Sequence, residues 1–340
     1  MFTRPLGHDF PARRILRHAV ASVALLCFVC AGTGCDKKDR VTNPGSSPPT
    51  LQHIWPNDDG RSWSFQSTTR AWDMPTPLFY PDAAHVPGVT FDTVAAVLAA
   101  RPAGTNVVAD TSVVQLRFHG TSAIGVSPGL PAGIPVQVLE ETETPLLGAT
   151  SPSESFVRSL IARVRDARPD LRARLAGRVG ARPLALAPVA PRFLHGGLWR
   201  RTAQWIGTYY ATDTDTLLDW KFLDGVLSPG QQFSLQLLPG LAPDVVLCGR
   251  VVRSLTAQTP GGAVAGAIEV HYYLDFGMSE GRDESGNLLG FLRSFDCGSV
   301  LYAPGIGPIR DDERIGLYTG ASLRPPFSGD RLLVLTATSP

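Results

Sequence analysis

The stretch GVSPG at Gly125–Gly129 matches the pattern that presents the nucleophilic serine of many hydrolases. In that pattern the backbone N–H of the residue after the serine stabilises the oxyanion, and a helix follows the turn. Here the residue after Ser127 is Pro128, which has no N–H, and more glycines and prolines follow in place of a helix. Ser127 is therefore predicted to be a turn residue, and no catalytic residue is expected in this stretch.

Side chains that can bind metals are present, but their spacing does not indicate a site. None of the histidines beyond the first 34 residues has a second His or Cys at ligand spacing; they are His53, His85, His119, His195 and His271. The acidic runs lack the full calcium-loop pattern; they are Asp213 with Asp215, Asp283 with Glu284 beside Asn287, and Glu140, Glu141 and Glu143. The first two runs are interpreted as solvated hairpin tips. The third has no partner residue that would let one group act as general acid and another as general base. The sequence predicts no metal, no cofactor and no catalytic residue.

Two cysteines, Cys248 and Cys297, lie in the body of the chain. In an oxidising compartment they could form a disulfide, which would close a loop of about 50 residues and contribute on the order of 4 kcal/mol. The alternative is two small buried side chains, since free cysteine is among the most buried residue types. Spacing does not decide between the two, because it does not give the distance between the Cα atoms.

The first 34 residues are typical of an export signal. Up to residue 18 the chain carries four arginines and one aspartate; an apolar run then extends from Ala19 to Ala31, and small residues close it. The apolar run is shorter than the about 20 residues that a helix needs to span a bilayer. We therefore expect residues 1–34 to be a signal peptide that is removed.

Gly34, Cys35 and the polar residues after them resemble a bacterial lipoprotein signal, in which the cysteine becomes the lipidated first residue. The resemblance implies lipidation of Cys35, with residues 35–52 as a flexible tether rich in Pro, Gly and Ser. Several acyl chains, at about 0.8 kcal/mol per buried CH2, would hold the protein on a membrane. This places it in the cell envelope, on the extracytoplasmic side. Cleavage that leaves an unlipidated exported protein is the alternative.

The charge balance excludes one class of partner. The formal net charge is +1, and removal of the leader's four arginines and one aspartate makes it slightly negative. Nucleic-acid binding requires a concentrated basic face, which a near-neutral chain does not provide. The expected partners are the membrane, through the lipid anchor, and an envelope protein or an apolar ligand.

Alternation of apolar and polar residues dominates beyond residue 53. It is clearest at 267–276, where one face would carry Ile268, Val270, Tyr272, Leu274 and Phe276. Period two with aromatic and β-branched residues indicates a strand with one packed face. Similar runs follow one another with turns between them, which favours antiparallel pairing. We predict one mainly β domain over residues 53–340, a curved antiparallel sheet (half-barrel or sandwich) with an inserted helical segment.

The helical insertion is predicted at about residues 90–180. Thr90 is placed to cap a first helix, with Val89 and Val94 as a hydrophobic staple. A second helix is predicted from Ser151, which forms a capping box with Glu154. The Pro-rich residues 181–197 are expected to be an extended connector.

Two stretches resemble the opening and closing segments of a group of uncharacterised exported bacterial proteins and lipoproteins. They are IWPNDDGRSWSF at 54–65, with its Pro, Gly and Trp, and GFLRSFDCGSVLYAPGIGPIRDDE at 290–313, with its Tyr-Ala-Pro-Gly-x-Gly run. The resemblance implies a β-rich envelope protein in which the strands near Trp63 and Tyr302 belong to one curved sheet. It carries over no functional residue. The Pro and Gly residues of 304–308 are interpreted as a structural turn.

Together these features predict a lipid-anchored cell-envelope protein with a non-enzymatic binding or structural role. One alternative is a carrier of an apolar ligand such as a lipid, held within the curved sheet against the face Ile268–Phe276. The competing interpretation of that face is ordinary core. An alternative from another class is an extracytoplasmic hydrolase, which would need a Ser, a His and a carboxylate converging in a pocket.

Overall fold

The computed structural model describes residues 49–71, 78–100, 108–120, 136–146, 193–211, 217–238, 242–283, 285–319 and 329–340. These residues form one twelve-stranded sheet and two α-helices, α1 (Leu51–Ile54) and α2 (Phe91–Ala99). The strands are β1 (Ser62–Ala71), β2 (Val108–His119), β3 (Gln137–Pro145), β4 (Gly197–Arg201), β5 (Trp205–Ala211), β6 (Leu217–Asp224), β7 (Gln232–Leu238), β8 (Ala242–Thr259), β9 (Gly262–Arg282), β10 (Leu288–Ala303), β11 (Gly307–Tyr318) and β12 (Gly329–Ser339). Among the described residues, neither helix has the length and hydropathy of a membrane-crossing segment.

The sheet is an antiparallel meander. Its order is β6-β5-β4-β3-β2-β1-β12-β11-β10-β9-β8-β7. Strands that follow each other in the chain lie side by side, except β6 and β7, and the first and last strands pair with each other. All described pairs are antiparallel. The mainly β, antiparallel prediction is confirmed.

The sheet curves until its two ends approach each other. Phe222 of β6, at one end of the order, stacks on Tyr272 of β9, near the other end, with ring centroids 5.0 Å apart. Phe233 of β7 lies 6.1 Å from the same tyrosine ring. Inner-face side chains from both ends therefore share one core. Of the two predicted forms, the half-barrel is found, curved nearly to closure, and not a two-sheet sandwich.

The helix α2 packs on the outer face of the sheet. Its cap is the predicted one, since Thr90 Oγ1 accepts a hydrogen bond from the Thr93 N–H at 3.2 Å. Val89 and Val94 are buried in one cluster, as the predicted staple requires. The cluster also contains Val97, Phe295, Cys297 and Leu317. An apolar patch on β10 and β11 is thereby shielded from water.

Three predicted boundaries differ from the structure. The first described element, α1, begins at Leu51, inside the predicted tether, and its residues Leu51 and Ile54 share one face and are buried. Within the predicted helical range 90–180, β2 and β3 follow α2, since the alternation of β2 suits a sheet. Residues 151–180, with the second predicted helix, lie outside the described residues. The end of the predicted connector, 193–197, is a mostly buried stretch that leads into β4 instead of an exposed linker.

Candidate functional site

The space inside the curved sheet is filled by the chain itself at the end next to α1. Trp55, directly after α1, is 1% exposed, and four aromatic rings surround it. The centroid distances are 6.3 Å to Trp63, 6.1 Å to Phe118, 4.8 Å to Trp199 and 6.3 Å to Tyr302. These rings come from β1, β2, β4 and β10, so a single side chain bridges much of the sheet.

The apolar face of β9 is part of this core. All five of its predicted members are at most 1% exposed, namely Ile268, Val270, Tyr272, Leu274 and Phe276. They belong to the same buried cluster as Trp55 and Trp199. The sequence left open whether this face lines a ligand cavity or forms core, and its packing is that of core.

The two stretches that carry the family resemblance contact each other. Arg61 Nη2 donates to the carbonyl oxygen of Gly305 at 2.6 Å, and Trp63 Nε1 donates to that of Ile306 at 2.6 Å. Gly305 lies in the turn between β10 and β11 with a φ of 75°, a conformation that glycine adopts without strain. The predicted structural turn is confirmed, and Trp63 and Tyr302 lie in one sheet as expected.

Two acids are buried on the inner face of β11. Asp311 and Glu313 are both 1% exposed. They stand two positions apart on one strand and therefore project to the same face. Arg331 of β12 lies opposite Glu313, with its Nη1 3.9 Å from Glu313 Oε2. Two carboxyl groups thus share one guanidinium in a region shielded from water.

A short stretch before β4, which we call the inner segment (Phe193–Gly196), docks onto these acids through its backbone. The Phe193 N–H donates to Glu313 Oε1. The Leu194 N–H donates to Asp311 Oδ2 at 3.3 Å. Each buried carboxyl group therefore binds one backbone donor of the inner segment.

The inner segment also presses closely against the sheet. The Gly196 N–H donates to Glu141 Oε2 at 2.8 Å, and a Cβ at Gly196 would lie 2.8 Å from the Glu141 Cβ. The Phe193 ring lies between Gly298, where a Cβ would come within 2.8 Å of it, and Tyr272, on which it stacks at 5.1 Å. Glycine at 196 and at 298 is what permits this approach.

The buried pair has unusual proton affinity. Burial raises the pKa of Asp311 to about 7, although the charge of Arg331 opposes the shift. Burial, followed by the charge of Asp311, raises the pKa of Glu313 well above its usual value. Asp311 Oδ1 and Glu313 Oε2 have no hydrogen-bond donor among the described residues. One proton shared between the two carboxyl groups would satisfy both oxygens. The arrangement is therefore a site that can bind one proton.

The predicted acidic cluster on β3 does not form one site. Glu140 is exposed, and its Oε2 lies 2.6 Å from His119 Nε2. Glu141 points to the other face, where it binds the inner segment. Glu143 accepts a hydrogen bond from Ser112 Oγ at 2.6 Å. Each acid has its own partner, none of which the sequence spacing could indicate.

A serine, a histidine and a carboxylate do meet, on the outer face of the sheet. Glu269 Oε1 lies 3.2 Å from His271 Nε2 and accepts a hydrogen bond from Ser299 Oγ at 3.2 Å. Arg253 Nε donates to Glu269 Oε2 at 2.6 Å. A hydrolase triad places the histidine between serine and carboxylate, whereas here both bind the carboxylate. The His271 hydrogen bond, with the Arg253 interactions, lowers the pKa of Glu269 to about 2. The cluster is an ion-pair network without the connectivity of a triad.

The two cysteines are free thiols in this structure. Cys248 of β8 and Cys297 of β10 both lie opposite Tyr273 of β9. Two strand spacings place their Cα atoms about 9.5 Å apart, beyond the roughly 7 Å that a disulfide can bridge. The disulfide alternative is therefore contradicted, and the alternative of two separate thiols is the one found.

The remaining predicted residues form no site in the described part of the chain. Asp283 closes the turn between β9 and β10, accepting from the Asn287 N–H at 2.8 Å and from Asn287 Nδ2 at 2.9 Å. Among the described residues, no three His, Cys, Asp or Glu side chains are grouped to hold a metal ion. Outside the described residues lie Cys35, Ser127, Asp213, Asp215 and Glu284.

Comparison with known proteins gives weak likenesses. No protein-family model and no curated protein matches the chain. Among solved structures, a Bacteroides fragilis protein described as exported and as having a YmcC-like fold gives a TM-score of 0.33 at 11% identity, over 85% of this chain and 99% of that one. A Parabacteroides distasonis protein described as a lipoprotein gives 0.32 at 9% identity, over 86% and 100%. At these TM-scores neither likeness bears on function, which rests on the residues of the chain itself.

Proposed function

We propose that the protein is a lipid-anchored component of the cell envelope that acts on the extracytoplasmic side as a non-enzymatic structural or binding protein. The anchor is Cys35, exposed as the first residue by removal of the leader. The observation that carries the proposal is the burial of Trp55 in the centre of the sheet, so soon after the proposed anchor. A force applied through the proposed tether would therefore be transmitted directly to the core.

The tether limits where the folded part can work. The roughly 15 residues between Cys35 and Leu51 span at most about 55 Å when fully extended. Acyl chains at Cys35 would hold that end in the membrane. The folded part would thus stay within this distance of the bilayer surface, where it could contact membrane-bound partners.

The packing supports a scaffold over a carrier. A carrier of an apolar ligand needs space against an apolar face. In the described residues that face packs against the chain's own rings, among them Phe193 and Phe222 on Tyr272. The surface left for a partner is then the outer face and the loops, and the partner class is an envelope protein.

Anchoring is tested by substituting Cys35→Ala in the full chain, with Cys30→Ala as the matched control inside the leader. We expect Cys35→Ala to abolish labelling by a fatty-acid probe and to move the protein from the membrane fraction to the soluble one. Cys30→Ala should change neither result. Persistent labelling of the Cys35→Ala protein would refute the anchor and leave an unlipidated exported protein.

The scaffold role is tested by native mass spectrometry of protein extracted without added lipid. We expect a mass that corresponds to the protein with its anchor. A stoichiometric co-purifying apolar molecule would instead favour the carrier.

A further inference from the structure

The buried acids and the inner segment form a unit that the proposed function does not use. Asp311 and Glu313 face one guanidinium, that of Arg331, and both are held away from solvent. If both were ionised, the region would contain one uncompensated negative charge, which is costly where water is excluded. This buried arrangement is therefore favoured when one proton is present on the pair.

The same two carboxyl groups bind the inner segment. The backbone N–H groups of Phe193 and Leu194 donate to Glu313 and Asp311, respectively. The segment lies between these acids and the remainder of the core, with the Phe193 ring against Tyr272. Water can reach the carboxyl groups most directly if this segment moves away, because it covers them from the inside of the sheet.

We propose that a single proton, shared between Asp311 and Glu313, controls the docking of the inner segment, which opens when that proton is released. The proton passes to solvent, leaving two carboxylates beside one guanidinium. Their repulsion is relieved when the inner segment leaves and water hydrates them. Rebinding of one proton restores the docked state. The carboxyl O–H bond is the one covalent bond that breaks and re-forms in this cycle, and its electron pair stays on the carboxylate.

Other charged and titratable groups surround the pair. They are Arg331 on β12, Tyr272 on β9, Tyr302 and Asp296 on β10, Glu141 on β3, His195 in the inner segment and Asp312 on the opposite side of β11. The charge of Arg331 favours ionisation of the pair. The charge of Asp312 disfavours ionisation of Asp311. Burial raises the pKa of both tyrosines, so they stay neutral across the physiological range. Glu141 and Asp296 bind backbone N–H groups of Gly196 and Gly316. Arg331 and the carboxyl pair are the groups whose charges meet where the inner segment docks.

The test is amide hydrogen exchange of the full-length protein between pH 5 and pH 8, expressed as protection factors to remove the intrinsic pH dependence of exchange. We expect protection at the Phe193, Leu194 and Gly196 amides to fall with rising pH. The fall should be about tenfold per pH unit while one proton is released on opening. The reference is the Val251 amide, which donates to Gln231 at 2.9 Å and should not change.

A substitution that replaces the proton separates charge from packing. In Glu313→Gln the amide oxygen can still accept from Phe193, and the amide NH2 can donate to Asp311 in place of the shared proton. Protection in this variant should keep its pH 5 value up to pH 8. Asp311→Asn is the second variant, and Glu280→Gln, an exposed acid on β9 paired with Arg282, is the matched control.

Three results would overturn the proposal: protection of the inner segment that is flat with pH in the wild-type protein, a fall shared equally by Val251, or an unchanged pH dependence in Glu313→Gln. If neither variant folds, the wild-type titration alone decides. The proposal does not depend on lipidation, so loss of the Cys35 anchor would leave it standing.

Discussion

The indole rings of Trp55 and Trp199 lie 4.8 Å apart, with planes inclined by 35°. Trp55 directly follows α1, whereas Trp199 lies on β4, which begins directly after the inner segment. This contact joins the residue after α1 to β4, the third strand from one end of the sheet. A residue just beyond the first described helix is thus a central part of the core.

Trp55→Ala should therefore cost much of the stability of the domain. Removal of a fully buried tryptophan leaves a large cavity, and such changes lower the free energy of unfolding by about 3–5 kcal/mol. Urea unfolding followed by circular dichroism measures the loss. Trp205→Ala, at a partly buried position on β5, is the control and should cost clearly less. Equal losses would mean that Trp55 is not the centre of the packing.

Gly298→Ala should strain the docking of the inner segment without removing any of its hydrogen-bonding groups. The new Cβ would lie 2.8 Å from the Asp312 carbonyl oxygen and 2.8 Å from the Phe193 ring. Phe193 is already stacked on Tyr272, so overpacking should lower the free energy of unfolding by about 1–3 kcal/mol. Chemical denaturation measures it.

Gly88→Ala is the matched control, because a Cβ there would have no atom within 4 Å and its φ is not in the left-handed region. The free energy of unfolding should stay unchanged or rise by up to about 1 kcal/mol. If the Gly298→Ala protein were as stable as the control, the Phe193 ring would not lie against Gly298.

The strand pattern and its packed face could be predicted from the sequence because they depend on local periodicity. The alternation at Ile268–Phe276 gave the correct buried face, and Thr90 gave the correct start of α2. Both signals are contained within a few residues, so no knowledge of the distant chain was needed.

The buried acids could not be predicted in the same way. The run from Arg310 to Arg314 is a series of charges, and charge normally indicates exposure. Its alternate members Asp311 and Glu313 are nevertheless buried, because the inner segment supplies backbone donors from a distant part of the chain. A partner that distant leaves no trace in local periodicity.

Both thiols should be present and slow to react. Burial raises the pKa of Cys248 and of Cys297, which lowers the thiolate fraction at neutral pH. Cys297 is the more deeply buried and should stay unmodified by an alkylating reagent until the protein unfolds. After denaturation without reductant, peptide mass mapping should locate the label at both positions. A linked pair of peptides containing Cys248 and Cys297 would contradict the register of β8, β9 and β10.

The outer cluster around Glu269 should stabilise the protein in the opposite pH range from the buried pair. A folded-state pKa of about 2, below the unfolded value near 4.3, means that the ionised form is favoured by folding. The stabilisation is fully present above the unfolded pKa and is lost as the pH falls towards 2. Allowing for partial exposure, Glu269→Gln should lower the free energy of unfolding by about 2 kcal/mol at pH 7. The difference from wild type should shrink below about pH 4.

Urea unfolding at several pH values between 2.5 and 7 measures this difference, with Glu280→Gln as control. Glu280 pairs with Arg282 in a solvent-exposed ion pair, and such pairs contribute less than about 1 kcal/mol. If the Glu269→Gln loss were the same at every pH, it would arise from packing or hydrogen bonds alone. A loss confined to higher pH would establish that His271 and Arg253 act on the charge of Glu269, since only an interaction with the ionised carboxylate disappears on protonation.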